Sequence, residues 1–204
     1  RLNSFQDCVA DHSSKLMPSV VMNDGAIIYR DLSPRSRSVT YDFLTSAWRL
    51  HNEINRNEQQ KGYPGIRTVM AAGFRVRRKS KRSDHLINGI GEHLLKQSES
   101  GEISVKQAIY TALNIRSTFD LTSELQANFA FTKAYLAESS GTKGGFIGPN
   151  MFVDHAFLSN PPPGWLELGD KVDWKTDGME SSFYPIVDID AGMAGRCNHE
   201  GILD

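Results

Sequence analysis

The feature that most restricts how this chain can fold is a single corner. Val20, Val21 and Met22 lead into Asn23-Asp24-Gly25, and Ala26, Ile27, Ile28 and Tyr29 lead away from it. Asn and Asp tolerate left-handed backbone and glycine adopts it without cost. β-branched neighbours favour extended backbone, so the segment predicts an antiparallel hairpin. A two-stranded hairpin is marginal alone and needs helices or further strands against it.

The flanking sequence predicts such partners. Ser4 to Leu16 places Phe5, Cys8, Val9 and Leu16 at helical spacing, and Pro18 ends the pattern. Tyr41 to Asn57 reads as the clearest helix, with Phe43, Leu44, Ala47, Trp48, Leu50 and Ile54 on one broad apolar face. Lys61-Gly62-Tyr63-Pro64-Gly65 stops it. Ile66 to Val76 then reads as a strand, its continuous apolar centre suggesting cover on both faces. Two helices are expected over 84–97 and 104–115, and another over 121–138 with Leu125, Phe129 and Tyr135 turned inward. Phe152-Val153-Asp154 and Tyr184 to Ile189 read as strands, and 191–204 as a flexible tail. Together these predict one α+β domain over 1–204.

Size and composition narrow the function classes. A chain of 204 residues can bury about 70% of its unfolded surface, enough for a hydrophobic core without disulfides or structural metal. Apolar residues make up 39%, and no run is long enough to span a membrane. A net charge of −1 gives nucleic acid little support as a partner. Two cysteines, Cys8 and Cys197, fit a reducing compartment, so the expected location is the cytoplasm.

Few residues carry a chemical signal. Asp24 at the hairpin tip offers a hard oxygen ligand to a divalent cation beside phosphates, although Asp is also a favoured turn residue. Arg75, Arg77, Arg78, Lys79, Lys81 and Arg82 place six cations in eight residues. They suit either phosphate contact or a solvated loop. The histidines show no H-E-x-x-H spacing, and Cys197-Asn198-His199 is a weak ligand pair. There is no nucleophile elbow and no Walker phosphate loop. Asp188 and Asp190 fit a solvent-facing strand end.

The order of several segments resembles a class III nucleotidyl cyclase domain, especially the compact bacterial type found in pyrimidine cyclases. Val21-Met-Asn-Asp24-Gly-Ala-Ile-Ile-Tyr29 resembles the family's metal-binding hairpin, S-D-S/T-I-I. Ile66-Arg67-Thr-Val-Met-Ala-Ala-Gly73 resembles its I-R-G-G-x-x-x-G strand. Ala130 to Glu138 resembles its A-x-x-x-A-Y-x-L-E helix, Phe152-Val153-Asp154 its P-R-I-V-I-D strand, and Tyr184 to Gly192 its closing strand. In this chain Gly25, Thr68 and Lys133 differ from the family's usual residues.

The resemblance implies a ferredoxin-like, cyclase-type antiparallel sheet with packed helices and a helical insertion at about 77–124. It implies a homodimer that takes a nucleoside triphosphate with Mg²⁺ or Mn²⁺. Asp24 would be the second of two metal carboxylates, and Arg67 would be the family's strand arginine at the catalytic site. Arg75, Arg77, Arg78 and Lys79 would contact phosphates. The family carries its first metal carboxylate on a strand ahead of the first helix. Either that strand lies upstream of Arg1, or the chain is a catalytically silent relative that binds a nucleotide, RNA or a protein.

Overall fold

The computed structural model describes residues 1–14, 17–22, 24–30, 37–74, 93–114, 125, 128–190 and 192–194. They form an α+β structure in two compact units, Arg1–Gly73 with Ala130–Asp204, and Phe74–Phe129. No helix among the described residues is long and apolar enough to cross a membrane.

In the first unit, helix α1 (Leu2–His12) is followed by strands β1 (Ser19–Met22) and β2 (Gly25–Ile28). The strands pair antiparallel as the corner sequence predicts, with Met22 opposite Gly25. They form a two-stranded sheet of their own. Helix α2 (Arg37–Gln60) follows, longer at both ends than its apolar pattern suggested.

The main sheet has β3 (Thr68–Met70), β4 (Met151–Asp154), β7 (Met179–Ile189) and β5 (Leu166–Leu168) side by side. Strand β6 (Val172–Thr176) also pairs with β7. β7 is long enough to serve three partners: β6 along its first half, β4 at its middle and β5 at its end. The β3–β4 pair is parallel and the other pairs of this sheet are antiparallel, so the sheet is mixed. A parallel pair needs a crossover. Here the crossover contains the whole of Phe74–Phe129 and the helix that follows, Phe129–Ser140.

Alternation along β4 sends side chains to opposite faces of the sheet. Met151 and Val153 join Met70, Ile186 and Ile189 in a core with Phe5 and Val9 of α1 and Leu44, Leu50 and Ile54 of α2. Phe152 joins Phe183, Trp174, Phe146 and Ala137 in a second core. Ala137 belongs to α4 (Phe129–Ser140). All four β4 residues are buried, as expected for a strand covered on both faces.

Three expectations need correction. β3 has only three residues and lies at the sheet's edge, rather than running centrally over 66–76. Side chains claim the backbone around it: Asn55 Oδ1 accepts from Ile66 N at 2.7 Å, and Asn55 Nδ2 donates to Ile66 O at 3.2 Å. Beyond the strand, Ala72 N donates to Asp154 Oδ2 and Ala72 O accepts from Lys133 Nζ. Trp48 is only partly buried. Finally, Phe129 and Tyr135 are 42% and 61% exposed, and α4 turns Ala137 and Leu136 inward instead.

In the second unit, residues 93–99 and α3 (Val105–Asn114) are helical. Leu94 and Leu125 are buried, and the Phe74 and Phe129 rings lie 4.4 Å apart. The expected insertion, 77–124, falls within this unit.

Candidate functional site

Asp24 occupies the turn between β1 and β2 and is exposed. The hairpin's inner side rests on the core through Ala26 and Ile28, so the tip is held by packing as well as by the strand ladder. One exposed carboxylate offers hard oxygens that suit Mg²⁺ or Mn²⁺, which usually take one or two carboxylates and complete their shells with water and phosphate oxygens.

Arg67 stands immediately before β3. Its Nη1 donates to the Phe146 carbonyl and its Nη2 to Glu138 Oε1 at 3.5 Å. Nε is buried without a hydrogen-bond partner. The guanidinium thus ties the start of β3 to the end of α4 and to Phe146, just past the turn Gly141–Gly144. No ion pair joins Asp24 to Arg67. Arg75, Arg77, Arg78, Lys79, Lys81 and Arg82 lie outside the described residues, as do Asn23, Cys197 and His199.

A buried charge cluster near the carboxyl end of β4 was not evident from the sequence. Asp154 is fully buried. Its Oδ2 accepts from Lys133 Nζ at 2.6 Å and from Ala72 N at 3.3 Å. Its Oδ1 accepts from Ser181 Oγ at 2.8 Å and from Ala156 N at 3.1 Å. His155 Nδ1 lies 3.3 Å from the same oxygen. One carboxylate therefore joins the ends of the two parallel strands to α4 and β7. A buried charge is tolerable when it is paired and hydrogen-bonded this fully.

A second polar cluster links α2 to β3. His51 Nδ1 lies 2.9 Å from Thr68 Oγ1, and Asn55 Nδ2 lies 3.0 Å from His51 Nε2. Trp48 stacks on the His51 ring, with centroids 5.7 Å apart. Burial pushes the His51 pKa down to about 4, with a hydrogen bond to the Pro149 carbonyl acting in the opposite direction.

Two clefts lie along α2. One cleft of about 300 Å³ is lined by Met17, Arg30 and Phe43 among others, and one of about 540 Å³ by Trp48, Asn52 and Arg56. His12, Asp42 and Arg49 line both; neither is lined by Asp24 or Arg67. Beside the larger cleft, Cys8 is a buried free thiol. Burial first, and then the Glu53 carboxylate, push its pKa up to about 11. The four-residue spacing of Cys8 and His12 on a helix was the available sequence signal for this corner. Glu53 comes from a different helix.

None of the family models, curated proteins or solved structures compared with the chain matches it.

Proposed function

We propose that this chain is a nucleotidyl cyclase-like domain. It takes a nucleoside triphosphate with Mg²⁺ or Mn²⁺ at the β1–β2 hairpin and forms a cyclic nucleotide, acting in the cytoplasm as a homodimer. The observation that carries this reading is the antiparallel hairpin that presents Asp24, exposed, at its tip. In the reaction, the ribose 3′-oxygen attacks the α-phosphorus, the bond to the bridging oxygen breaks, pyrophosphate leaves and the hydroxyl proton passes to solvent. A bound divalent ion would neutralise charge on the phosphates. Asp24 would hold that ion against the triphosphate.

The reading also requires a second carboxylate on a further strand. Among the described residues β2 pairs only with β1, and β3 only with β4. Both therefore keep an outer edge with backbone groups that such a strand could engage. Incubation with each nucleoside triphosphate and Mn²⁺ should release pyrophosphate and cyclic nucleotide, and Asp24→Asn should abolish both. Absence of product with every triphosphate would refute catalysis.

A second reading is favoured by Arg67, whose guanidinium is taken up by the Phe146 carbonyl and Glu138. A strand arginine spent on internal contacts suits a cyclase-like module that binds a nucleotide, RNA or a protein without turnover. That reading predicts binding without product.

A further inference from the structure

Cys8 and His12 stand one helical turn apart on α1, so their side chains leave the same face. Glu53 meets them from α2. The Cys8 sulfur, a His12 ring nitrogen and a Glu53 carboxylate oxygen all lie within 4.8 Å of one another.

The orientation of the His12 ring is informative. Its Nδ1 lies 3.0 Å from the Cys8 carbonyl oxygen, which can only accept. Nδ1 therefore carries the proton, and in the neutral ring Nε2 presents its lone pair. That nitrogen faces Glu53 Oε2 at 3.4 Å. Two acceptors at this spacing call for a positive centre between them, either a proton or a metal ion. Zinc bonds of about 2.0–2.1 Å to nitrogen and oxygen in a tetrahedral shell put neighbouring ligand atoms about 3.3–3.4 Å apart, which is the spacing seen. A backbone carbonyl fixing the far ring nitrogen is the usual outer support of a metal-bound histidine.

The donor set selects the ion. Sulfur, imidazole nitrogen and a single carboxylate suit a borderline-soft ion such as Zn²⁺ and not Mg²⁺ or Mn²⁺. We propose that Cys8 Sγ, His12 Nε2 and the Glu53 carboxylate form a zinc site whose fourth position opens into the larger cleft. His12 and Glu53 are respectively 24% and 41% exposed at their side chains, so the ion has a route in. Arg49 and Arg56 line the same cleft and favour an anionic group at the fourth position. The site is separate from Asp24 and does not depend on the function proposed for it.

The test is zinc binding by the reduced chain of 204 residues, read by competition with a chromogenic chelator and by Co²⁺ substitution. One ion per chain is expected, with a thiolate-to-cobalt charge-transfer band. Loss of an outer-shell partner costs metal sites about 10–100-fold in affinity, so loss of a ligand should cost at least about tenfold in Cys8→Ser, His12→Gln and Glu53→Gln. His12 and Glu53 are partly exposed, so their variants keep the test decisive if Cys8→Ser fails to fold. Cys197→Ser should keep both the affinity and the band. Absence of saturable zinc uptake, or affinity unchanged in both His12→Gln and Glu53→Gln, would overturn the proposal. So would a band that Cys197→Ser removes and Cys8→Ser leaves intact.

Discussion

Acid should destabilise this protein through His51 before general acid unfolding sets in. The ring is buried against Trp48, Thr68 and Asn55, and its pKa is lowered from 6.5 to about 4. The folded state therefore binds a proton less readily than the unfolded chain, whose histidine titrates near 6.5. Above pH 6.5 neither state is protonated and the group contributes no pH dependence. As pH falls from 6.5 towards 4 the unfolded state gains a proton that the native state refuses, and stability drops. At about 1.36 kcal/mol per decade of pKa difference, the loss approaches about 2 kcal/mol at pH 5 and about 3 kcal/mol below pH 4. Carboxylates lose stability over part of this range too, so the readout is a difference. Urea unfolding of the parent and of His51→Gln at pH 7, 6 and 5 isolates the histidine. The variant should be less stable at pH 7 because it gives up the fitted ring. The gap should narrow by about 2 kcal/mol by pH 5. A gap that is constant from pH 7 to 5 would refute the account of a buried neutral imidazole.

Other outcomes follow from the cores and the clusters. Lys133→Met leaves Asp154 fully buried without its cation and should cost about 3–5 kcal/mol in urea unfolding, with a double-mutant cycle showing strong coupling to Asp154→Asn. Leu44→Ala, at a position with no exposure, should cost about 2–5 kcal/mol, and the partly buried Trp48→Ala less than Leu44→Ala. Gly145 has φ +89°, and an added Cβ would meet Val172 Cγ1 at 2.6 Å. Gly145→Ala should therefore lower the thermal midpoint, with at least about 1–2 kcal/mol lost to left-handed backbone alone.

The parts that could be read from the sequence were those fixed by neighbours in the chain. The hairpin follows from turn chemistry within a few residues of Asp24. The buried face of α2 follows from its own periodicity, and Phe43, Leu44, Ala47, Leu50 and Ile54 all lie in the core. The misreadings involve distant partners. β3 looked like a central strand because its composition is apolar, yet Asn55, Asp154 and Lys133 cut it short, reaching it from 11 to 82 residues away. α4 is apolar on nearly every side, so its sequence gave no phase, and the inward choice of Ala137 over Tyr135 is made by Phe146, Phe152 and Phe183. The Lys133–Asp154 pair and the Cys8–His12–Glu53 corner each need elements far apart in sequence, so neither could be assembled from spacing alone.

The β1–β2 hairpin is proposed to hold a divalent ion beside a triphosphate. The most direct measurement is paramagnetic broadening of backbone amide signals by Mn²⁺ with a nucleoside triphosphate present. The amides of Met22, Asp24, Gly25 and Ala26 should broaden first, and Asp24→Asn should remove the effect. Broadening that avoids the hairpin, or that is equal in Asp24→Asn, would contradict the proposal.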